Sequence, residues 1–368
     1  MLQDKKSQAN QKYTVDYSLK KYKTRYARLM NILFYAKELP SDLYRQMNMS
    51  YDNFRKAVAI LKHRGLISKI HKDRAIGYKL SRKAKRLTAQ HPEYMKYRDQ
   101  IDEAVDRHHC IKRRNRKRQF AYLYALFDRI GLSYETDKKP RIEDISTLDE
   151  RVYFYTANDL KRMLGVESNT FKGSRLYGFL IGGGKIIPVY RTNKMIKTFG
   201  RHEGLVPLFL SQHFSVRPDT AILICDDDEA VIDITNQIID NVGNDPKNGA
   251  NTAQYDYFYL LPSDDSFLSR FNDLYDDHNA IERSLIERYN INTSDKDANG
   301  RYRFKIGTGF IKDSPILIYT GNVVTLKVFI LNAEHNDNWS YILCKKRDFA
   351  VLKEITKDRP IEVVAIED

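Results

Sequence analysis

Residues 41–80 read SDLYRQMNMSYDNFRKAVAILKHRGLISKIHKDRAIGYKL, and this stretch decides the fold of the N-terminal part of the chain. Phe54, Val58 and Leu61 are spaced by four and three residues, so they form one apolar face of a helix. Ser50 suits the N-cap position, because its side-chain oxygen can accept a hydrogen bond from the first turn. The pattern predicts an amphipathic helix that begins after Ser50 and ends near residue 64.

Two strands are predicted after this helix. Gly65 suits a left-handed helix end, and the alternation of residues 66–70 is typical of a half-buried strand. Residues 71–74 form a polar tip, and the chain returns as a strand over residues 77–80. Ser81 then caps a further helix. The stretch therefore predicts a helix, a two-stranded hairpin and a closing helix.

Two helices are predicted before Ser50. Apolar residues at helical spacing predict a first helix over residues 24–36, and a short second helix is predicted over residues 41–47. Three helices, a two-stranded wing and a closing helix form a winged helix-turn-helix domain. Domains of this type place a recognition helix in the major groove of DNA.

The positive charge of the chain is concentrated in one region. The first 140 residues contain 34 of the 62 Lys and Arg but only 14 of the 48 Asp and Glu, whereas the remaining 228 residues contain 28 basic and 34 acidic side chains. The formal net charge of +14 therefore comes from the first region. A localised excess of cations is expected of a surface that binds nucleic acid, because phosphates release counterions when Lys and Arg approach them.

The predicted DNA contacts lie on the third helix and on the wing. Winged helices also serve as protein-interaction modules, but such a module gains nothing from cations around these two elements. The predicted contact residues are Ser50, Tyr51, Asn53, Arg55, Lys56 and Lys62 on the helix, and Lys69, Lys72 and Arg74 on the wing. Double-stranded DNA is the expected partner.

A basic connector follows between residues 91 and 140, with two helical patterns. Six of the seven residues over 112–118 are cationic. Such a run is either a solvated helix face or an extension of the phosphate contacts, and the candidates for the second role are Arg113, Arg114, Arg116 and Lys117.

An apolar stripe follows the basic run on the same predicted helix. It consists of Phe120, Leu123, Tyr124, Phe127 and Ile130. Either the next domain or a second copy of the helix can cover it, and the second alternative predicts a homodimer that reads two half-sites.

The second half of the chain shows the pattern of an open, mixed α/β sheet. Buried strands are predicted over 220–225 and 255–261, and each is followed by an acidic cluster and a helix, the second helix extending to about residue 289. Further strands are predicted over 302–306, 315–319, 323–331, 341–344 and 361–366. A helix capped by Thr156 precedes them. The glycines before Lys185 are interpreted as a tight turn and not as a phosphate loop, because strand residues follow them.

Four carboxylates are the candidates for catalysis: Asp226, Asp228, Asp264 and Asp265. Acids at the carboxyl ends of strands hold Mg²⁺ in metal-dependent nucleases. Ordinary helix capping explains the same acids without chemistry. We therefore expect a binding protein and keep a Mg²⁺-dependent nuclease or strand-processing enzyme as the alternative.

Composition restricts the remaining classes. The cysteines Cys110, Cys225 and Cys344 are far apart, so neither a disulfide framework nor a zinc site is indicated. The polar, basic N-terminal sequence and the lack of a long apolar run predict a cytoplasmic protein that does not enter a membrane. No cofactor is expected.

The predicted fold class is α+β, in four parts. These are a basic flexible tail (1–20), a winged-helix DNA-binding domain (21–90), a basic helical connector (91–140) and an α/β domain (141–368). A further division of the last part near residue 215 is left open.

Three stretches carry a family resemblance: GLISKIHKDRAIGYKLSRKAKRL (65–87), NRKRQFAYLYALFDRIGL (115–132) and GSRLYGFLIGGGKIIPVYRTNKMIKTFGRHEG (173–204). Over residues 24–215 the chain resembles winged-helix proteins of the replication-relaxation type, which plasmids and conjugative elements of low-GC Gram-positive bacteria carry. The resemblance implies a C-terminal domain with a degenerate restriction-endonuclease-like fold. It also implies that Arg74 reaches a minor groove or a phosphate.

The function implied by the resemblance is control of replication, conjugative relaxation or transcription on a mobile genetic element. Replication or transfer proteins would then be partners. In this hypothesis the C-terminal domain serves for oligomerisation or partner binding. Dependence on Mg²⁺ distinguishes it from the nuclease alternative.

Overall fold

The structure is a computed structural model. It describes residues 25–72, 75–82, 84, 111–135, 138–140, 151–165, 171, 174–192, 202–241, 251–275, 278–294, 307–335 and 339–366. The chain forms two compact units, one of residues 1–163 with 180–184 and one of residues 164–179 with 185–368. The division at residue 163 differs from the predicted boundary at 140, and the second unit includes both sides of residue 215.

The first unit contains helices and strands in alternation. In chain order they are α1 (Arg25–Ala36), β1 (Leu39–Pro40), α2 (Tyr51–His63), β2 (Ile67–Lys72), β3 (Ala75–Leu80), α3 (Ile111–Ile130), β4 (Tyr153–Thr156) and α4 (Ala157–Leu164, of which the last residue belongs to the second unit). The mixture of helices and sheets agrees with the predicted α+β class.

A three-stranded antiparallel sheet with the strand order β1-β3-β2 lies in this unit. Tyr78 of β3 is paired with Leu39 of β1 on one side and with Lys69 of β2 on the other. The two long strands begin and end within two residues of their predicted bounds. Strand β1 was not predicted, because Leu39–Pro40 is too short to show alternation.

The helix predicted from Ser50 is confirmed as α2. Its first turn is capped as expected, since the backbone N–H of Asn53 donates to Oγ of Ser50 at 3.3 Å. Gly65 ends the helix in the left-handed region with φ +68°. Ser81 also caps as predicted, because the backbone N–H of Ala84 donates to its Oγ at 3.0 Å.

The short second helix predicted over 41–47 is wrong. The segment forms successive turns, in which the N–H of Leu43 donates to the carbonyl of Pro40 three residues back and the N–H of Met49 to that of Tyr44 five back. These irregular spacings do not build an α-helical ladder. Asn48 has φ +49° and ends the segment. The apolar spacing still holds, because Leu43 and Met47 are buried.

Helix α3 packs against α1 within the first unit. Nε of Arg28 donates to Oδ2 of Asp128 at 2.6 Å, and the rings of Tyr35 and Tyr124 meet edge to face at 6.2 Å. Phe127 contacts Phe154 of β4 at 4.7 Å between ring centroids. The chain itself therefore covers the apolar stripe of α3. The stripe is not a dimer surface, and the homodimer prediction loses the argument on which it rested.

The second unit contains the remaining elements. They are β5 (Leu176–Gly182, of which the last three residues belong to the first unit), β6 (Lys185–Arg191), α5 (Leu205–Phe214), β7 (Thr220–Cys225), α6 (Asp228–Asp240), β8 (Tyr257–Pro262), α7 (Phe267–Asp273), α8 (His278–Arg288), β9 (Gly309–Ile311), β10 (Ser314–Tyr319), α9 (Val323–His335), β11 (Ser340–Lys345), α10 (Phe349–Ile355) and β12 (Ile361–Ile366).

The second unit has both parallel and antiparallel strand pairs. Strands β6, β7 and β8 run parallel to one another, and a second sheet has the order β12-β11-β10-β9. In that sheet β9 is antiparallel to β10, whereas β10, β11 and β12 are parallel. The predicted mixture of strand directions is confirmed, but the strands expected in one sheet are divided between two. The glycines before Lys185 form the predicted tight turn, with φ +58° at Gly183 and +72° at Gly184.

Two predictions for the second half are wrong. Residues 323–331 form the first part of helix α9 and not a strand, because Leu326, Phe329, Ile330 and Ala333 all face the core at helical spacing. The single helix predicted to follow residue 265 and end near 289 is two helices, α7 and α8. The strand predicted over 302–306 lies outside the described residues, as do the first connector helix and the tail.

Across the described ranges, no helix combines the length and the apolar character that crossing a membrane requires.

Candidate nucleic-acid interface

Helix α2 has a buried face and a charged face. Phe54 and Leu61 are at most 2 % exposed and anchor the helix in the first unit. On the opposite side Arg55 and Lys56 are exposed, and the side chain of Arg55 retains 66 % of its accessible surface. Tyr51 is 57 % exposed at the first helical position. The helix therefore presents an aromatic ring and cations at the end from which recognition helices contact base edges.

The N-terminus of α2 carries one acidic side chain among these groups. Oδ1 of Asp52 is 3.6 Å from Nη2 of Arg55, and both side chains are largely exposed. Exposed ion pairs of this kind contribute little free energy. Arg55 can therefore exchange this partner for a phosphate at small cost. The Oγ of Ser50 is occupied as the helix cap, since it accepts from the backbone N–H of Asn53, and Asn53 is half-buried.

Two residues that the sequence analysis did not select extend this surface. The rings of Tyr44 and Tyr51 meet edge to face at 5.5 Å, and the guanidinium of Arg45 lies 5.8 Å from the centroid of the Tyr44 ring. Nε of Arg45 donates to the hydroxyl of Tyr44 at 3.4 Å. Both residues belong to the turn segment before α2. Neither was selected from the sequence, because the helix predicted over residues 41–47 did not indicate that they lie near Tyr51.

The hairpin adds exposed cations next to the helix. Lys69 on β2 and Lys79 on β3 are exposed, as is Lys62 near the end of α2. Burial raises the pKa of Tyr78 on β3, and the neighbouring Tyr51 raises it further. The side chain of Lys72 and the whole of Arg74 lie outside the described residues.

The basic run divides into two groups on α3. Arg113 and Arg116 are exposed, and Lys117 is half-buried. Arg114 is only 10 % exposed and Arg118 only 13 %. The prediction that Arg114 binds DNA phosphate is therefore corrected, because its guanidinium points into the protein and is occupied there. The prediction for Arg113, Arg116 and Lys117 stays untested.

Arg114 is held by a buried carboxylate and by the hairpin. Its Nε donates to both carboxylate oxygens of Glu38 at 3.0 Å, and its Nη2 donates to Oε1 at 2.8 Å. Nη2 also donates to the backbone carbonyl of Ala75 at 3.0 Å. Glu38 is 4 % exposed, so this is a buried, forked ion pair. It joins α3 to the first residue of β3.

Arg118 makes a second set of bonds one helical turn later. Its Nη1 donates to the carbonyl of Ile76 at 2.9 Å, and its Nη2 lies 3.5 Å from Oδ1 of Asp42. The hydroxyl of Tyr122 donates to the same Asp42 oxygen at 2.7 Å. Burial, together with this bond, raises the pKa of Tyr122 well above the ordinary range of a tyrosine. The phenol therefore remains a donor at any physiological pH.

The acidic candidates of the second unit are engaged with cations or helix ends. Nη2 of the buried Arg191 donates to Oδ1 of Asp226 at 2.9 Å, and Asp228 lies 3.5 Å from Arg270. Burial raises the pKa of both aspartates, and the facing arginine opposes that rise in each case. Asp264 accepts hydrogen bonds from the backbone N–H and the hydroxyl of Ser266.

The capping interpretation holds for a neighbour of the candidates, whereas Asp226 and Asp228 themselves face arginines. Asp227 is the N-cap of α6 and accepts from the N–H of Ala230 at 2.9 Å, while Asp265 is exposed. Among the side chains that the structure describes, no group of three or more His, Cys, Asp and Glu is placed to hold a metal ion. Cys110 is not among them.

The chain matches no protein-family model, no curated protein and no solved structure. Its function is therefore inferred from the geometry of the first unit. In the first unit the exposed face of α2 lies beside the turn residue Tyr44, whose ring meets that of Tyr51. The hairpin carries its exposed lysines on opposite faces, because Lys69 is paired with Tyr78 and Lys79 with Ser68.

Proposed function

We propose that this protein binds double-stranded DNA through the first unit, with α2 in the major groove and the β2–β3 hairpin as the wing. The observation that carries the proposal is the exposed face of α2. It presents Tyr51, Arg55 and Lys56 at the helix N-terminus, while the opposite face is fully buried. Arg, Lys and Tyr at this position are suited to hydrogen bonds with base edges and phosphates.

The order of elements supports a winged-helix interpretation. A helix, a short strand, a turn segment, a second helix and a hairpin follow one another, and the short strand completes the hairpin sheet. Such domains dock the helix in the groove and lay the hairpin along the adjacent backbone. Lys69 shares a face of that hairpin with its cross-strand partner Tyr78 and would contact a phosphate, whereas Lys79 lies on the opposite face.

The charge distribution supports a large electrostatic contribution. The excess of 20 cations over the first 140 residues exceeds the net charge of the whole chain, because the rest is acidic. Affinity for DNA should therefore fall steeply with salt, with a slope of about 0.9 per phosphate contact on a double logarithmic scale.

We further propose that this DNA binding acts in transcription, plasmid replication or conjugative relaxation on a mobile genetic element. The family resemblance of residues 65–87 and 115–132 motivates this role. The second unit, which carries no excess of cations, would then bind replication or transfer proteins or another copy of the chain. The slight excess of acidic side chains after residue 140 disfavours a second DNA-binding surface there.

Fluorescence anisotropy with a labelled 20-base-pair duplex tests the proposal. The full chain is titrated at two salt concentrations, with and without Mg²⁺. We expect Mg²⁺-independent binding that weakens with salt, and a loss of about tenfold or more in the variant with both Arg55→Ala and Lys56→Ala.

The matched control removes two exposed lysines of the second unit, Lys353→Ala with Lys357→Ala. This variant loses the same charge and should bind like the wild type. Equal losses of DNA affinity in both variants would show that binding depends only on net charge and not on the face of α2. Absence of binding by the wild type would refute the proposal, and cleavage that requires Mg²⁺ and is lost in Asp226→Asn would replace it with the nuclease alternative.

A further inference from the structure

We propose that Arg114 and Arg118 are positioning residues that fix the hairpin relative to α2 so that both elements reach DNA together. The inference rests on the proposed function. Neither arginine is exposed enough to bind DNA itself. Both act through backbone atoms of the hairpin and through the segment that leads into α2.

The hairpin is held at the start of its return strand. Arg114 donates to the carbonyl of Ala75 and Arg118 to the carbonyl of Ile76, at 3.0 and 2.9 Å. Ala75 is the first residue of β3 and directly follows the predicted tip. A charged guanidinium donates to each of two successive carbonyls and so restrains the backbone at the start of β3.

Glu38 fixes the two arginines in turn. It accepts from Arg114 at 2.8 Å and lies 3.4 Å from Nη1 of Arg118, at the junction between α1 and β1. The carboxylate is buried against the backbone of Gly77, where a Cβ atom would stand 2.5 Å from its Oε1. The cluster therefore has no space to shift toward the sheet.

Arg118 also contacts the turn segment that precedes α2. Asp42 receives hydrogen bonds from Arg118 and Tyr122, and it begins the turn segment that carries Tyr44 and Arg45. Arg118 thus connects this segment and the hairpin through one guanidinium. The N–H of Ser41 donates to the same Ile76 carbonyl at 3.2 Å, so the segment and the hairpin are also joined directly. Helix α3, which follows both elements by more than thirty residues in the sequence, reinforces this link through Arg118.

A double-mutant cycle tests the inference on the same duplex. Arg114→Lys keeps the charge but removes the fork, and it is combined with Lys69→Ala on the hairpin or with Lys56→Ala on α2. If Arg114 positions the hairpin, Lys69→Ala should cost about threefold or more in the wild-type background and little in the Arg114→Lys background. Lys56→Ala should cost the same in both backgrounds.

Hydrogen exchange supplies a measurement that needs no DNA. Amides of residues 67–80 should exchange faster in Arg114→Lys, while those of α2 stay protected. Tyr122→Phe removes only one hydroxyl and should give a smaller increase in hairpin amide exchange. This variant replaces Arg114→Lys in the experiment if Arg114→Lys does not fold.

The outcomes separate the two proposals. The wild type can bind DNA while the affinity losses of Arg114→Lys and Lys69→Ala add, or while hairpin amide exchange is unchanged in Arg114→Lys. Either result overturns the positioning role and leaves the proposed DNA binding intact. If the wild type binds no DNA, the proposed function fails and the inference fails with it. Non-additive losses confined to Lys69 together with faster hairpin exchange support both.

Discussion

Gly77 lies so close to Glu38 that a Cβ atom at position 77 would stand 2.5 Å from Oε1 of that carboxylate and 3.0 Å from the carbonyl oxygen of Leu39. The glycine is required here by space and not by conformation, because its φ lies outside the left-handed region. The buried carboxylate and its two arginines therefore depend on the missing side chain.

Gly77→Ala should destabilise the first unit. The added methyl group must displace Glu38 or the backbone of β1, and overpacking of this kind costs about 1–3 kcal/mol in the free energy of unfolding. Urea unfolding followed by circular dichroism measures the shift in the midpoint. An unchanged midpoint would contradict the close approach between the two residues.

Asp52→Asn should strengthen DNA binding. The substitution removes the only acidic group in the first turn of α2 and releases Arg55 from its exposed pair at 3.6 Å. We expect the Kd for a duplex to fall by about two- to fivefold at low salt, since a repelling charge near phosphate is lost. Asp358→Asn, at an exposed site in the second unit, provides the control and should leave the Kd unchanged.

Asp128→Asn should change the pH dependence of stability. Burial raises the pKa of Asp128 above 3.8, against the opposing effect of Arg28. A carboxylate with a raised pKa in the folded state binds its proton more tightly there than in the unfolded chain. Its contribution to stability is therefore present below the unfolded pKa and is lost as the pH rises through the folded pKa.

Urea midpoints of wild type and Asp128→Asn at several pH values check this sign. The difference between the two proteins should shift in favour of the variant as the pH rises from about 4 to 6. Parallel pH profiles would show that Arg28 compensates the burial of Asp128 completely.

Arg270→Met should destabilise the second unit strongly. The guanidinium is 9 % exposed and lies 2.5 Å from Asp348, which is itself 8 % exposed, so its removal leaves a buried carboxylate with weaker compensation. Loss of one partner of a buried pair costs about 3–5 kcal/mol.

Arg359→Met provides the comparison for this prediction. Its pair with Glu334 is more exposed, at 18 % and 40 %, and should contribute less than about 1 kcal/mol. Differential scanning calorimetry measures both variants. Equal shifts would contradict the assignment of the Arg270 pair as a buried one.

The elements that the sequence predicted well have strong local signals. Helix α2 has an N-cap at one end, a left-handed glycine at the other and a regular apolar face between them. Strands β7 and β12 are observed over the predicted residues 220–225 and 361–366. These features depend on neighbours within a few positions, so they can be predicted from one sequence.

Helix α9 shows why other elements could not be predicted. Residues 323–331 are almost entirely apolar, and a short buried run has no polar face from which to tell a period of two from a period of 3.6. The tertiary structure decides, because β10 and β11 are parallel neighbours and need a crossover between them. The sequence shows that residues 323–331 are buried but not whether they form a helix or a strand.

The candidate site was predictable only in part. The sequence indicated that Arg55 and Lys56 face away from the core, since the apolar stripe of α2 fixes the opposite side. A run of six cations on α3 contains no such stripe, and the partners of Arg114 lie 76 and 39 residues away. Orientation of these arginines is a property of the tertiary fold.

Strand β2 lies at an edge of its sheet within the described strands, and this position bears on solubility. An edge strand offers unpaired backbone groups to which a second chain can add, and proteins discourage such addition with charged side chains. Lys69 and His71 are exposed on β2. The cations proposed to contact phosphates would thus also keep neighbouring molecules from extending the sheet, so neutral substitutions made to weaken DNA binding should increase the tendency to aggregate.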